Sequence, residues 1–402
     1  MQNKMTNLPQ GWEVKKLEEI ANIKGGKRLP KGKNLLDNNT KFAYIRVADF
    51  QDNGTINLQN IKFINENTYN VLKNYKIYDD NLYISIAGTI GKSGIIPKEL
   101  NGAILTENAV KLEYIQNNIS NKFMYFFTLS NIFKTQIQTS TKIVAQPKLA
   151  ITRLKQIQIP LPPLKEQERI VGILDESFAK IDESIKILEQ DLLNLDELMQ
   201  SALQKAFNPL KDNAKENYKL PQSWEWKSLE EISENISAGG DKPKNCTESK
   251  TAKNQIPVYA NGVNNNGLVG YTDKATIIKP SLTISARGTI GFVCIRKEPY
   301  FPIVRLISLI PCENILCLHY LYFCLNFFIA KGEGSSIPQL TIPKFKSLQI
   351  PLPPLKEQKQ IAEHLDFVFE KAKALKELYT KELKDYEELK QSLLNKAFKG
   401  EL

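Results

Sequence analysis

The chain has 402 residues, of which 42% are apolar and 24% charged, and its formal net charge is +10. That length allows two or more domains with their own cores, and that balance excludes a disordered chain. The opening MQNKMTNLPQGWEVKK has no apolar run behind its charges, so no signal peptide is expected. The most apolar stretch, Leu316 to Ala330, falls short of the roughly 20 residues of a membrane span and reads as a buried core helix. All five cysteines lie between Cys246 and Cys324. An odd number, without paired Cys-x-x-Cys hooks, argues for a reducing cytoplasm and against disulfides or structural zinc.

The charge is unevenly placed. Residues 1–160 hold 22 Lys and Arg against 12 Asp and Glu, residues 161–215 hold 7 against 11, residues 216–350 hold 15 against 11, and residues 351–402 hold 10 against 10. The excess is confined to the first and third segments. Localised basicity suggests a polyanion such as nucleic acid, a solvated basic surface being the alternative.

In the first segment, LPQGWEVKKLEEI from Leu8 is followed by GGKRLPKGKN, which gathers Lys27, Arg28, Lys31 and Lys33 among glycines. The runs FAYIRVADF, with Tyr44 and Arg46, and LYISIAGTI read as strands divided by Gly and Asn turns. GTIGKS, Gly88 to Ser93, does not make a phosphate-cradling loop, because Ile86 stands where that motif needs its first glycine. Its glycines instead shape a tight turn whose backbone N–H groups, with Lys92, could approach a DNA phosphate. NKFMYFFTLSNIF then reads as an apolar helix.

At Ile159 begins IPLPPLKEQ, whose prolines stop a strand and set the entry of a helix. Beyond it Val171, Leu174, Phe178, Ile181, Ile185, Leu188, Leu192, Leu195, Met199, Ala202 and Ala206 alternate in steps of three and four, a coiled-coil seam. A core helix of a bundle is the alternative, but Leu164 to Phe207 would extend roughly 66 Å at 1.5 Å per residue.

The third segment repeats the first. LPQSWEWKSLEEI starts at Leu220, ISARGTIG at Ile284 answers ISIAGTIG at Ile84, and IPQLTIPKFKSLQ from Ile337 answers QPKLAITRLKQIQ from Gln146. GGDKPKN from Gly239 carries Lys242 and Lys244, and PVYANGVNNNGLVGYTDKA carries Tyr259, Asn261, Asn264, Asn265 and Asn266. Asn-Gly clusters are also simply turn formers. Arg287 stands where the first copy has Ala87, and Phe292 where it has Lys92. A turn has no need of Arg287, so it is a sharper candidate. LCLHYLYFCLNFFIA repeats the apolar helix.

IPLPPLKEQ then recurs verbatim at Ile350. The helix after it has a looser seam, Ile361, Leu365, Val368, Ala372, Leu375 and Tyr379, with an extra four-residue step to Leu383 and Tyr386 that locally unwinds a supercoil. SALQKAF from Ser201 matches SLLNKAF from Ser392. The order is variable unit, constant unit, variable unit, constant unit, over residues 1–160, 161–215, 216–350 and 351–402. If each variable unit sits at the entrance to its own helix, the helices pack antiparallel and the units are related by a pseudo-two-fold axis, with the termini close together. The expected class is α+β, two mixed domains separated by two long antiparallel helices.

No dinucleotide fingerprint, nucleophile elbow or metalloprotease His pair is visible. NPLK at Asn208 lacks the second proline and aromatic of an amino-methyltransferase loop, and KELK from Lys381 lies within the heptad helix. Recognition remains: Lys and Arg neutralise phosphates, and Arg, Asn and Gln can make paired hydrogen bonds to base edges.

From the two IPLPPLKEQ elbows, the GTIG turns, the LPQGWE and LPQSWE starts, GGKRLPKG, YIRVADF, IPVYANG with GYTDKA, and the terminal FKGEL, the chain resembles the specificity subunit of type I restriction–modification systems. The resemblance runs from Leu8 to Leu402. It implies two target recognition domains binding double-stranded DNA and no catalysis in this chain. It implies two methyltransferase subunits held by the helices, and restriction subunits that translocate DNA. S-adenosylmethionine, ATP and Mg belong to those partners, in the cytoplasm and without a membrane. Because Ala87 replaces Arg287 in the first unit, a role given to Arg287 cannot be carried there. A coiled-coil scaffold without DNA would leave the basic segments idle, and a self-contained methyltransferase–nuclease would need motifs that this chain lacks.

Overall fold

A computed structural model describes residues 8–140, 148–211, 221–329, 332–333 and 339–402. Gln146 and Ile337, where one pair of repeated segments begins, lie outside them. The chain divides into two compact units, one of residues 1–188 with 381–402 and the other of residues 189–380.

Each unit is built on the same sheet. In the first, the strand order is Ala21–Gly25, Ala109–Tyr114, Leu82–Ser85, Ser93–Ile95, all antiparallel. In the second it is Ser233–Ala238, Ile307–Pro311, Ser281–Ile284, Val293–Arg296, again antiparallel. A smaller sheet lies beside each, pairing Ala43–Ile45 parallel to Ala103–Leu105 in the first unit and Ile256–Tyr259 parallel to Phe301–Pro302 in the second. One bulge separates the copies. Ser233 pairs with Pro311 but Asn235 with Ile310, so Glu234 is an extra residue. That single insertion makes Gly239, not Gly240, the counterpart of Gly26.

The repeated start and the proline phrase are two halves of one hairpin-like closure. Glu13–Lys16 pairs antiparallel with Gln158–Leu161, and Glu225–Ser228 with Gln349–Leu352, in the same register. The glutamine that ends the phrase then locks the elbow. Buried Gln167 accepts from the Ser120 N–H (2.9 Å) and donates to the carbonyls of Asn118 (3.0 Å) and Pro162 (2.8 Å). Buried Gln358 accepts from the Cys317 N–H and donates to the carbonyls of Ile315 and Pro353, each at 2.8 Å. The amide is fully used in both copies, so another residue in its place would leave buried groups unpaired.

Above each elbow packs the apolar helix read from the sequence, Asn121–Leu129 in one unit and Leu318–Phe328 in the other. Phe123, Phe127, Tyr320, Leu321 and Phe323 are almost fully buried there. No helix among the described residues is long and apolar enough to cross a membrane.

The long helices are Leu164–Lys211 and Leu355–Ala397. The first unit holds the start of one and the end of the other, and the second unit holds the remainder. Asp182 pairs with Lys390 (2.5 Å) in the first unit, and Asp196 with Lys376 in the second. The steps from 182 to 196 and from 390 to 376 are equal and opposite, so one antiparallel register serves both pairs. Leu174, Ile181, Leu188 and Leu195, seven apart, are buried, while Val171, Phe178, Ile185 and Leu192 are half-buried at the edge of the seam. On the second helix Leu365 and Ala372 are buried and Val368 and Tyr379 half-buried. Leu375 departs from the expected seam. It is 38% exposed, and the inward place on that turn belongs to Ala372 and to half-buried Lys376, whose ammonium reaches Asp196.

Each helix ends by inserting the aromatic of its KAF sequence into a core. Phe398 packs on Phe123 (ring centroids 5.1 Å) and Phe127 (5.4 Å) in the first unit. Phe207 packs on Tyr320 (5.8 Å) and Phe327 (5.4 Å) in the second. Pro9 and residues 400–402 come together within the first unit, where a Cβ on Gly400 would lie 2.3 Å from Pro9 and Arg169 donates to the Leu402 carbonyl at 2.8 Å.

Candidate nucleic-acid interfaces

In the first unit the basic loop leaves the sheet at Gly26, whose N–H donates to the Ala109 carbonyl at 3.0 Å. A Cβ there would lie 2.1 Å from the Thr106 carbonyl oxygen, so only glycine fits. Lys27 is exposed, its ammonium 5.8 Å from the centre of the Tyr75 ring. Further on, Lys33 N–H donates to Pro30 carbonyl (3.1 Å), with Gly32 at φ 81. This turn leaves Lys31 and Lys33 exposed at its tip. Arg28 is exposed but donates to Glu107 Oε1 at 2.6 Å. Burial alone would raise the Glu107 carboxyl, but Arg28, its own backbone N–H and Thr106 outweigh burial and hold it below the usual range.

Three other candidates of this unit are committed to the protein itself. Tyr44 is buried, and its hydroxyl donates to the Lys27 carbonyl at 2.8 Å, so it buttresses the loop from behind. Arg46 donates twice to the buried carboxylate of Asp49 (3.1 and 2.5 Å) and once to the Asn60 carbonyl (3.0 Å). Its fork is therefore filled and turned inward. Lys92 is half-buried with its ammonium 2.7 Å from Asp52.

In the second unit the corresponding glycine is Gly239, whose N–H donates to the Leu306 carbonyl at 2.8 Å and whose Cβ would lie 2.6 Å from the Ile303 nitrogen. The loop beyond it exposes Lys242 and Lys244. Asn261 is a brace and not a free reader: it accepts from the Ala286 N–H (2.8 Å) and donates to the Val304 carbonyl (2.7 Å). Asn264 and Asn265 are exposed on the following turn, where Asn265 and Asn266 have left-handed backbone, φ 47 and 51. That backbone suits the turn-forming role of an Asn-Gly run, and the side chains stay exposed. Tyr259 is half-buried beneath the Arg296 guanidinium, 3.5 Å from its ring centre. Arg287 is exposed on the hairpin tip beside Gly288, φ 71, and among the described residues its side chain has no ion pair.

Two features of these loops escape a reading of residue types. Glu107 sets the charge of the first cluster by engaging Arg28. In the second, Val304 and Arg305 both take left-handed backbone, φ 52 and 59, in a turn closed by Leu306 N–H to Ile303 carbonyl (3.1 Å). Val304 N–H donates to Gly240 (2.8 Å) and Arg305 N–H to Gly239 (2.9 Å), so the turn is pinned to the basic loop.

The model of the type I restriction modification DNA specificity domain matches this chain twice, over residues 9–192 and 221–384. The chain belongs to this family. It is 29% identical, over 87% of its length and 87% of the relative's, to a Mycoplasma pneumoniae protein named as a type I specificity subunit. It is 23% identical to the Salmonella potsdam StySPI specificity subunit, over 98% of this chain and 90% of that one. Among solved structures, the HsdS subunit of Thermoanaerobacter tengcongensis superposes with a TM-score of 0.63 at 20% identity, covering 100% of both chains. A chain from a structure of type I R-M complex assembly and conformational transition superposes with a TM-score of 0.80 at 20% identity, covering 98% of this chain and 100% of that one. As a type I specificity subunit, this protein is the DNA-recognising, non-catalytic member of its system, and the two matched segments each contain one of the loop clusters above.

Proposed function

We propose that this specificity subunit reads a split, asymmetric DNA target, one half with each unit, and that its paired long helices space the two halves and carry methyltransferase and restriction subunits. S-adenosylmethionine, ATP and Mg then belong to those partners. The supporting observation is that one scaffold carries two different loop chemistries. Equivalent sheets, equivalent glycines and equivalent elbows present Lys27, Lys31, Lys33 and an Arg28–Glu107 pair in one unit, against Lys242, Lys244, Arg287 and Arg305 in the other. Exposed Lys and Arg supply phosphate attraction, and different tips supply different base preferences. The first long helix has 48 residues, about 72 Å at 1.5 Å per residue, a length suited to holding readers on either side of an unread spacer.

The test is an exchange of readers. Residues 221–350 are replaced by the matching segment of a specificity subunit with a different target, the chimera is expressed with its methyltransferase partner, and methylated adenines are mapped. One half of the target should change while the other half and the spacer persist. A change in both halves would sink the assignment of one half to each unit.

A further inference from the structure

We propose that Arg305, held out on the left-handed turn Val304–Arg305, is a specificity-determining residue of the second unit and recognises a guanine. The inference deepens the split-target reading and rests on it.

A β-branched residue with positive φ is a genuine outlier, and such backbone persists only where its surroundings over-determine it. Here they do. The turn is held by Gly239, Gly240 and the side chain of Asn261, all on loops of the candidate interface, and by Ile303 N–H, which donates to the Tyr259 carbonyl at 2.8 Å. A glycine or asparagine pair would form this turn without strain, so ease of turning does not account for Val and Arg. The side chains are what the turn presents. Val304 is 52% exposed, Arg305 is exposed, and among the described residues Arg305 has no ion pair or side-chain hydrogen bond. Arg46, by contrast, fills its fork with Asp49 and Asn60. An exposed guanidinium on a rigid tip can offer two parallel donors to guanine O6 and N7 in the major groove.

The first unit supplies the contrast. Gly26 donates to Ala109 as Gly239 donates to Leu306, so Glu107 and Asn108 occupy the positions of Val304 and Arg305. Neither has left-handed backbone, and the tip carries a carboxylate already engaged by Arg28. The carboxylate stands at the position of Val304 and neutral Asn108 at that of Arg305, so the two tips carry opposite charges one position apart.

The full chain, purified with its methyltransferase partner, is used to select from a duplex pool randomised across both half-sites. Arg305→Ala should relax one guanine position in the half-site of the second unit and weaken binding to the selected sequence about ten- to a hundredfold, with the first half-site unchanged. Arg305→Lys keeps the charge but not the fork, so it should retain the salt dependence while losing the guanine preference. Val304→Gly keeps the backbone free to turn and should retain the preference, and melting curves of all three variants report folding. A uniform loss over the pool, or an unchanged preference in Arg305→Ala, would overturn the role of Arg305 while leaving the split target standing. A wild-type selection with no two-part sequence would overturn the broader reading and this one with it.

Discussion

Gln358 donates its side-chain amide to the carbonyl of Pro353 at 2.8 Å, and Gln167 donates to Pro162 at the same distance. The donor closes the first turn of each long helix onto the proline that precedes it, and its remaining groups reach the loop before the core helix. The repeated phrase is thus a joint whose prolines stop the strand and whose glutamine fixes the angle of departure.

Replacing Gln358 by Ala leaves the Cys317 N–H and the carbonyls of Ile315 and Pro353 without these partners. A loss of about 2–4 kcal/mol is expected, since a buried group left unpaired costs about 1–3 kcal/mol and water can recover part of it. Urea unfolding measures it, and a loss below about 1 kcal/mol would show that the joint does not depend on this amide.

Phe398→Ala should destabilise the first unit by about 3–5 kcal/mol, the usual range for a buried phenylalanine. Hydrogen exchange should accelerate at Phe123–Phe127 and stay unchanged at Tyr320–Leu325. Phe207→Ala should give the reverse pattern. Equal loss of protection in both places would contradict the assignment of each aromatic to one core.

The basic loop and its carboxylate should act in opposite directions. Lys27, Lys31 and Lys33 replaced by Ala should lower the slope of log affinity against log salt by about 2–3, at roughly 0.9 for each phosphate no longer neutralised. Glu107→Gln releases Arg28 and should raise non-specific affinity. Acid has the same effect, because a depressed carboxyl keeps its pair above the ordinary carboxylate range and loses it as pH falls through the lowered value. Binding isotherms at several salt concentrations decide both, and an unaltered slope would remove the loop from the phosphates.

The shared antiparallel register makes the spacing testable without breaking the seam. A heptad inserted after Glu189, matched by a heptad in the second helix before Leu383, preserves both Asp–Lys pairs and adds about 10 Å to each helix. Methylation mapping should then show a spacer longer by about three base pairs, at 3.4 Å per pair, with the half-sites unchanged. A fixed spacer in a variant that still methylates would make the helices a platform for partners and not a ruler. A heptad in one helix alone displaces the register and should destabilise the protein.

The repeat, the elbows, the heptads and the antiparallel return were legible because periodicity and proline chemistry are local. The roles of individual polar residues were not, because their partners are remote in sequence. Tyr44 meets Lys27 and Asn261 meets Val304 only once the sheets have formed. The second copy has two more residues than the first between LEEI and its Gly-Gly pair, and the bulge at Glu234 absorbs one of them, so the pairs stand one position out of step. Arg305 lay hidden in PIVRLIS, a run that reads as strand, since a left-handed turn is normally announced by Gly or Asn. Leu375 followed the heptad in sequence but yielded its place to Lys376, whose ion pair with Asp196 sets that turn.

The reciprocal ends of the helices also dictate an order of completion during synthesis. The second unit is one contiguous segment, Glu189–Thr380, so it can close as soon as Thr380 is clear of the ribosome. The first unit, although begun first, lacks Leu394, Ala397 and Phe398 until those residues emerge. Its sheet must wait with an open core, an exposed apolar surface of the kind that invites aggregation in slow, long-range folding. Loss of the segment that carries Leu394, Ala397 and Phe398 therefore opens the core of the first unit and leaves that of the second complete.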